Sequence, residues 1–138
     1  MKILFVTSEA HPFVSTGGLA DVSGSLPKAV KDISGYDIRV VLPYFETIKN
    51  NWGARAKYIG NFFVTLAWRR LYCGIFYIEY EGIKYYFLDN EYYFKRSCVY
   101  GDYDDAERFA FFSKAILDFI IAIDFFPDVL HANDWQTA

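Results

Sequence analysis

The sequence predicts an α/β domain built on a parallel sheet with an inserted antiparallel ribbon. Three observations lead there. Residues 1–43 read as strand, glycine-bearing turn, helix and strand, the βαβ unit of a parallel sheet. Strand-like runs between residues 58 and 88 follow one another with very short breaks, as hairpins do. A long helical pattern from Asp104 then leads into a further apolar run, DVLH at 128–131.

Taken in order, KILFVT (Lys2 to Thr7) is a short run of β-favouring residues, apolar on both faces as a buried parallel strand is. A loop with His11-Pro12 and Gly17-Gly18 follows. Leu19, Val22, Leu26, Ala29, Val30 and Ile33 recur at helical spacing, and Gly35 is a natural stop. DIRVVL (Asp37 to Leu42) is the next strand, closed by Pro43. Tyr58 to Trp68, Leu71 to Tyr80 and Ile83 to Leu88 make the ribbon, with breaks at Arg69-Arg70 and Glu81-Gly82. The third run is expected to return to the main sheet. Residues 89–103 are Tyr-rich and irregular, with room for one helical turn.

Asp104 is placed to cap the long helix, with Glu107 completing a variant capping box. Phe109, Phe112, Ser113, Ile116, Ile120 and Ile123 form its apolar stripe, and Pro127 forces an end before it. DVLH is expected to be a fourth core strand. Asp134 caps a further helix that is unfinished at Ala138, which predicts that the chain is the first part of a longer protein.

Composition narrows the function. The 138 residues fit one core, and 54% hydrophobic and 21% aromatic residues exclude a disordered chain. With 14 Lys+Arg against 17 Asp+Glu the net charge is −3, which argues against nucleic acid as a partner. The apolar N-terminal run is too short for a secretory leader. The stretch from Phe109 to Phe126 is broken by Lys114, Asp118 and Asp124, so no membrane span is expected and a cytoplasmic location is. Cys73 and Cys98 stand far apart without a ligand set and read as free thiols.

Ligands of open α/β sheets bind beyond the carboxyl ends of the strands. Ser8, Glu9 and the turn Ser15-Thr16-Gly17-Gly18 follow the first strand. Asp89 and Asn90 follow the ribbon's last strand, and His131, Asn133 and Asp134 end or follow the final one. Gly17-Gly18 before a helix either presents N–H groups to an anion or is a structural turn. His131 is either a hydrogen-bonded strand-end side chain or a catalyst. A metal site at His131 and Asp134 lacks a third ligand, so no metal and no cofactor is expected. Tyr and Trp beside polar groups suit sugar rings as well as core packing.

Three long segments go further. KILFVTSEAHPFVSTGGLADVSGSLPKAV, LDNEYYFKRSCVYGDYDDAERFAFFSKAIL and DVLHANDWQTA together resemble the bacterial glycogen synthase and plant starch synthase family, in the family's order and over essentially the whole chain. The resemblance implies a retaining glucosyltransferase of the GT-B type, with two Rossmann-like domains facing across a cleft. Such enzymes carry glucose from ADP-glucose, or UDP-glucose, to the non-reducing end of an α-1,4-glucan. Residues 1–138 correspond to an incomplete N-terminal, acceptor-side domain. The nucleotide-sugar domain lies outside it, so the fragment alone is expected to be inactive and, with sheet left uncovered, to self-associate.

By the same resemblance, Gly17 and Gly18 match the glycines of the Lys-Thr-Gly-Gly-Leu loop that approaches the donor phosphates, with Thr16 beside them. Glu9 and Asp21 match acidic positions near that loop. Tyr100 and Asp104 match positions lining the acceptor and donor-sugar side. His131 and Asp134-Trp135 match the cleft-floor segment, and Gln136 takes a position, often His, given contact with the transferred glucose. The chain departs from the pattern at Ser15, where the family has lysine. Losing one cation beside the leaving diphosphate costs on the order of 10²–10³ in rate, by analogy with an oxyanion-hole donor. Compensation by cations elsewhere and a non-catalytic glucan-binding or regulatory module both remain open.

Overall fold

A computed structural model describes residues 1–138. β1 (Lys2–Val6), α1 (Gly18–Ser34) and β2 (Asp37–Pro43) form the expected unit, with β1 and β2 parallel. α1 stops at Gly35, whose φ of 71° is the left-handed conformation that glycine adopts without a Cβ penalty. A short helix, α2 (Glu46–Trp52), follows where the sequence suggested no element. It buries Ile48 and sets Trp52 edge-on against Phe13.

β3 (Lys57–Leu66) and β4 (Arg69–Tyr80) make the antiparallel ribbon, and β5 (Ile83–Asp89) pairs antiparallel with β4 and parallel with β2. The third run does return to the main sheet. Its turn, Glu81-Gly82, has φ of 49° and 76°, the two positive values a tight hairpin needs. The first turn is displaced from the expected one. It is Ala67-Trp68, and Arg69-Arg70 lie within β4. As strand residues both arginines find partners: Arg69 pairs with Glu107, and the Arg70 guanidinium stacks 4.3 Å from the Phe63 ring. Trp68 is left 87% exposed.

α3 (Glu91–Phe94) is the single helical turn expected in the Tyr-rich stretch, capped by Asn90, whose Oδ1 accepts from the Tyr93 N–H. α4 (Asp105–Ala122) ends before Pro127. β6 (Val129–Ala132) pairs parallel with β1, and a 3-10 turn (Trp135–Thr137) follows. The sheet order is β3-β4-β5-β2-β1-β6. No helix is long and apolar enough to cross a membrane.

The two faces of the sheet are separated by strand alternation. Ile38 faces α1, whose Leu26, Pro27 and Val30 form an apolar groove with Ile3 and Phe5. Its neighbour Arg39 faces the other way, toward Phe125 and Tyr86, and Tyr86 meets Phe119 of α4.

Four expectations need correction. The α1 face that buries is Ala20, Ser23 and Pro27, whereas Val22, Leu26 and Ile33 of the expected stripe are exposed. The α4 stripe is wider than expected: Arg108, Phe111, Ala115 and Phe119 are buried along with Phe109, Phe112 and Ile116. Asp104 occupies the cap position, but its side chain makes no cap bond and Glu107 completes no capping box. Arg96 takes the Asp104 carboxylate, while Arg69 and Tyr93 take Glu107. A guanidinium outbids a backbone N–H for a carboxylate because the bond is charge-assisted on both sides. Lastly, β6 joins the main sheet beside β1 as expected, but its four residues are exposed within residues 1–138 rather than buried.

Candidate functional site

The carboxyl end of β1, the loop before α1 and the loop before α4 meet around Glu9. This residue is 3% exposed. Its Oε2 accepts the Thr16 N–H at 2.5 Å, and its Oε1 accepts the Thr16 hydroxyl at 2.8 Å and the Tyr100 hydroxyl at 2.7 Å. Tyr100 donates to Glu9, so Ser8 Oγ, 2.7 Å away, donates to Tyr100. Below them the Thr7 hydroxyl donates to the Glu9 carbonyl at 2.8 Å and lies 3.0 Å from Ser23 Oγ on α1. Burial raises the pKa of the Tyr100 hydroxyl; the Ser8 bond offsets part of this, and the charges of Glu9 and Asp134 add to it. Tyr100 therefore stays neutral and stays a donor near pH 7.

Ser15, Thr16 and Tyr100 line an open cleft of about 540 Å³ together with Thr47, Cys98 and Val99. No Lys or Arg lines it. Beside it, α1 begins at Gly18 with Gly17 as its cap residue and no side-chain cap, so its first N–H groups lack intrahelical partners and carry the positive end of the helix dipole. A Cβ added to Gly17 or Gly18 would meet nothing within 4 Å, and Gly17 is extended at φ −167°. Neither this chain's packing nor its backbone conformation requires glycine at Gly17. Asp21 is exposed in the first turn of α1.

Asp134 is exposed, with φ 65° and ψ 175°, a region most side chains avoid. Its carboxylate accepts the Trp135 N–H at 2.7 Å, and the Thr137 hydroxyl bonds to the carbonyls of Asn133 and Asp134. Trp135 stands exposed beside it, edge-on to Phe109, which also contacts Tyr100.

Three residues expected at the site sit elsewhere. The His131 ring points under α1, edge-on to Phe5, and lines the apolar groove with Leu26 and Pro27. Strand alternation put it on the face rather than at the edge. Gln136 is 5% exposed, turned inward where Ser113 meets its carbonyl, and its Oε1 has no partner. Asp104 lies behind the cleft, clasped by Arg96, whose charge holds its carboxyl below the usual range.

Arg96 and Arg108 were not singled out from the sequence. Arg108 is fully buried and binds the carbonyls of Tyr93 and Val99 and the carboxylate of Asp105. It thus ties the Tyr100 loop to α4. Asp102, Asp104 and Asp105 lie close enough to share a metal ion, but the two guanidinium groups already pair with them. Acids at 102, 104 and 105 around a helix start were the available signal for a buried arginine.

Residues 2–138 match the family model described as the starch synthase catalytic domain. The chain belongs to this family. It is 54% identical to the glycogen synthase of Clostridium kluyveri over 137 residues, 99% of this chain and 29% of that protein. It is 55% identical to the glycogen synthase of Anoxybacillus flavithermus, again over 99% of this chain and 28% of the relative. The catalytic domain of starch synthase IV from Arabidopsis thaliana, solved bound to ADP and acarbose, has a TM-score of 0.88 at 26% identity, covering 98% of this chain and 28% of that one. The chain thus spans less than a third of the length of these family members. Its fold is that part of the GT-B architecture which the sequence implied.

Proposed function

We propose that residues 1–138 are the first part of the acceptor-side Rossmann-like domain of a retaining glucosyltransferase. The reaction moves glucose from ADP-glucose, alternatively UDP-glucose, to the non-reducing end of an α-1,4-glucan. The observation that carries this reading is the uncapped start of α1 at Gly17-Gly18, directly after Ser15 and Thr16, which line the cleft with Tyr100. The ADP and acarbose bound to the Arabidopsis relative are consistent with it and favour the adenine nucleotide.

In such a transfer the bond from the sugar to the diphosphate breaks, and negative charge grows on the departing phosphate. Gly17, Gly18 and the first turn of α1 offer N–H donors and dipole to that charge, with Ser15 and Thr16 beside them. Tyr100 and the exposed Asp134 present a hydroxyl donor and a carboxylate to the sugar hydroxyls. Asp21 stands at the entrance on α1.

This cleft carries no cation of its own, so the charge on the diphosphate is met by residues outside 1–138. Two results follow. The full-length gene product, given ADP-glucose or UDP-glucose and glycogen, incorporates labelled glucose, and residues 1–138 alone do not. No incorporation by the full-length protein with either donor would sink the reading. The cation-free cleft and Ser15 also favour a second reading, a non-catalytic glucan-binding module. In that case residues 1–138 bind maltooligosaccharides at millimolar affinity while the full-length protein transfers nothing.

The unpaired edge of β6 and the bare α1 residues Val22, Leu26 and Ile33 add a proposal about association. Such edges and patches recruit partners, so residues 1–138 alone self-associate. A monomer by light scattering would remove this last claim.

A further inference from the structure

Glu9 is enclosed, and every group that binds its carboxylate is neutral. Thr16 and Tyr100 supply its donors, and no Lys or Arg reaches it. A buried carboxylate without a cation is costly, and it is tolerated only where hydrogen-bond donors are supplied in its place. Those donors come from the two stretches of chain that wall the cleft. Thr16 precedes the open start of α1, and Tyr100 stands on the loop before α4. Both hydroxyls share one oxygen, Oε1. Moving the carboxylate therefore moves both walls. Ser8, fully buried, makes its one side-chain bond to Tyr100 and so orients the phenol from behind.

We infer that Glu9, seconded by Ser8, is a positioning residue that holds the Gly17-Gly18 turn and Tyr100 in one fixed relation, and that it touches no substrate itself. This assigns Glu9 a different role from the ligand contact suggested by its place near the loop, and it rests on the glucosyltransfer reading above. Two of the Thr16 groups are bound to Glu9, so the turn has little freedom to rotate. The N–H groups that follow are aimed before any ligand arrives. Misplacement by about 1 Å in such an arrangement costs about 10²-fold in rate.

The test uses the full-length protein with ADP-glucose and glycogen. Glu9→Ala lowers kcat/KM about 10²-fold and raises the donor KM. A merely structural loss reduces the active fraction and lowers kcat at unchanged donor KM, so the KM separates the two. Glu9→Gln recovers activity to within about tenfold of wild type, because its amide oxygen still accepts from the Thr16 N–H and the two hydroxyls rotate to accept from its NH2. Ser8→Ala, a milder change at a residue with no path to solvent, raises the donor KM by about threefold to tenfold, as expected for the loss of one neutral hydrogen bond. A folded Glu9→Ala protein with wild-type kcat/KM would overturn the inference. If Glu9→Ala does not fold, a wild-type donor KM in Ser8→Ala overturns it.

A second arm is independent of turnover. The Thr16 amide proton, hydrogen-bonded to a carboxylate, resonates downfield in the wild-type protein and moves upfield in Glu9→Gln. No movement overturns the clamp. Thus a wild-type protein that transfers no glucose defeats the function reading and still leaves the clamp tested.

Discussion

Two buried charges, Glu9 and Arg108, show opposite ways of stabilising an ion inside this domain. Arg108 meets a carboxylate, Asp105, at 2.7 Å and carbonyls on two other segments, and Asp102 stands 3.3 Å away. It is scaffold, a cation at the junction of α3, the Tyr100 loop and α4. Glu9 has only hydroxyls and one N–H, all from cleft walls. Its partners are two side-chain hydroxyls and a backbone N–H, whereas those of Arg108 are backbone carbonyls and carboxylates. The difference separates what holds the loop in the fold from what aims it at the cleft.

The sharpest way to break this comparison is Arg108→Ala. It takes the cation from Asp105, leaves the carbonyls of Tyr93 and Val99 without their side-chain donor, and costs about 3–5 kcal/mol of stability, measured by urea unfolding. Phe119→Ala, in the core beside Tyr86, costs a similar 3–5 kcal/mol through transfer and cavity terms without touching either charge. Glu9→Ala is expected to cost less, about 1–3 kcal/mol, because the freed hydroxyls and N–H border the open cleft and water reaches them. If Glu9→Ala and Arg108→Ala destabilise equally, the distinction between scaffold and clamp is lost.

Acid sharpens the same contrast. Asp104 has its pKa lowered by the bond from Arg96, and Glu107 by the bonds from Tyr93 and then Arg69. A carboxyl group whose folded pKa is depressed contributes stability that is present above its unfolded value, near 4, and is lost as pH falls through the folded value. Stability should therefore hold from neutral pH down to about 4 and fall below it. Asp104→Asn should flatten that fall, read from unfolding midpoints at several acid pH values. The smallest effect is expected at Trp68→Ser. This side chain, at the ribbon tip, packs on little, and stability should change by no more than about 0.5 kcal/mol. A thiol titration gives a last check: Cys98 reacts in the native protein, while Cys73, buried with its pKa raised by desolvation, reacts only on unfolding.

Much of the fold was legible because local patterns and chain punctuation agree. Gly35, Glu81-Gly82 and Pro127 stop or turn the chain for steric reasons that act over a few residues. The return of β5 to the main sheet was readable from the short hairpin before it. The α1 stripe was misread because apolarity at helical spacing does not say which face the sheet covers; Ala20 and Ser23 bury because the helix lies close over the end of β1. Asp104 looked like a cap because its competitor, Arg96, is on another element. Ser8, Glu9 and the Ser15–Gly18 turn were readable from their place after the first strand. The directions in which His131 and Gln136 point were not readable, since one residue of alternation or one 3-10 turn reverses where a side chain points.

The sequence by itself determined the α/β class, the family and the identity of the turn before α1, because periodicity, glycine and proline act locally and long segments carry a family's signature. Only the tertiary structure decided that Glu9 joins Thr16 to Tyr100, that Arg108 is wholly interior and that no cation lines the cleft. Those facts depend on which distant segments come within a hydrogen bond's length of each other, and chain spacing does not contain that distance.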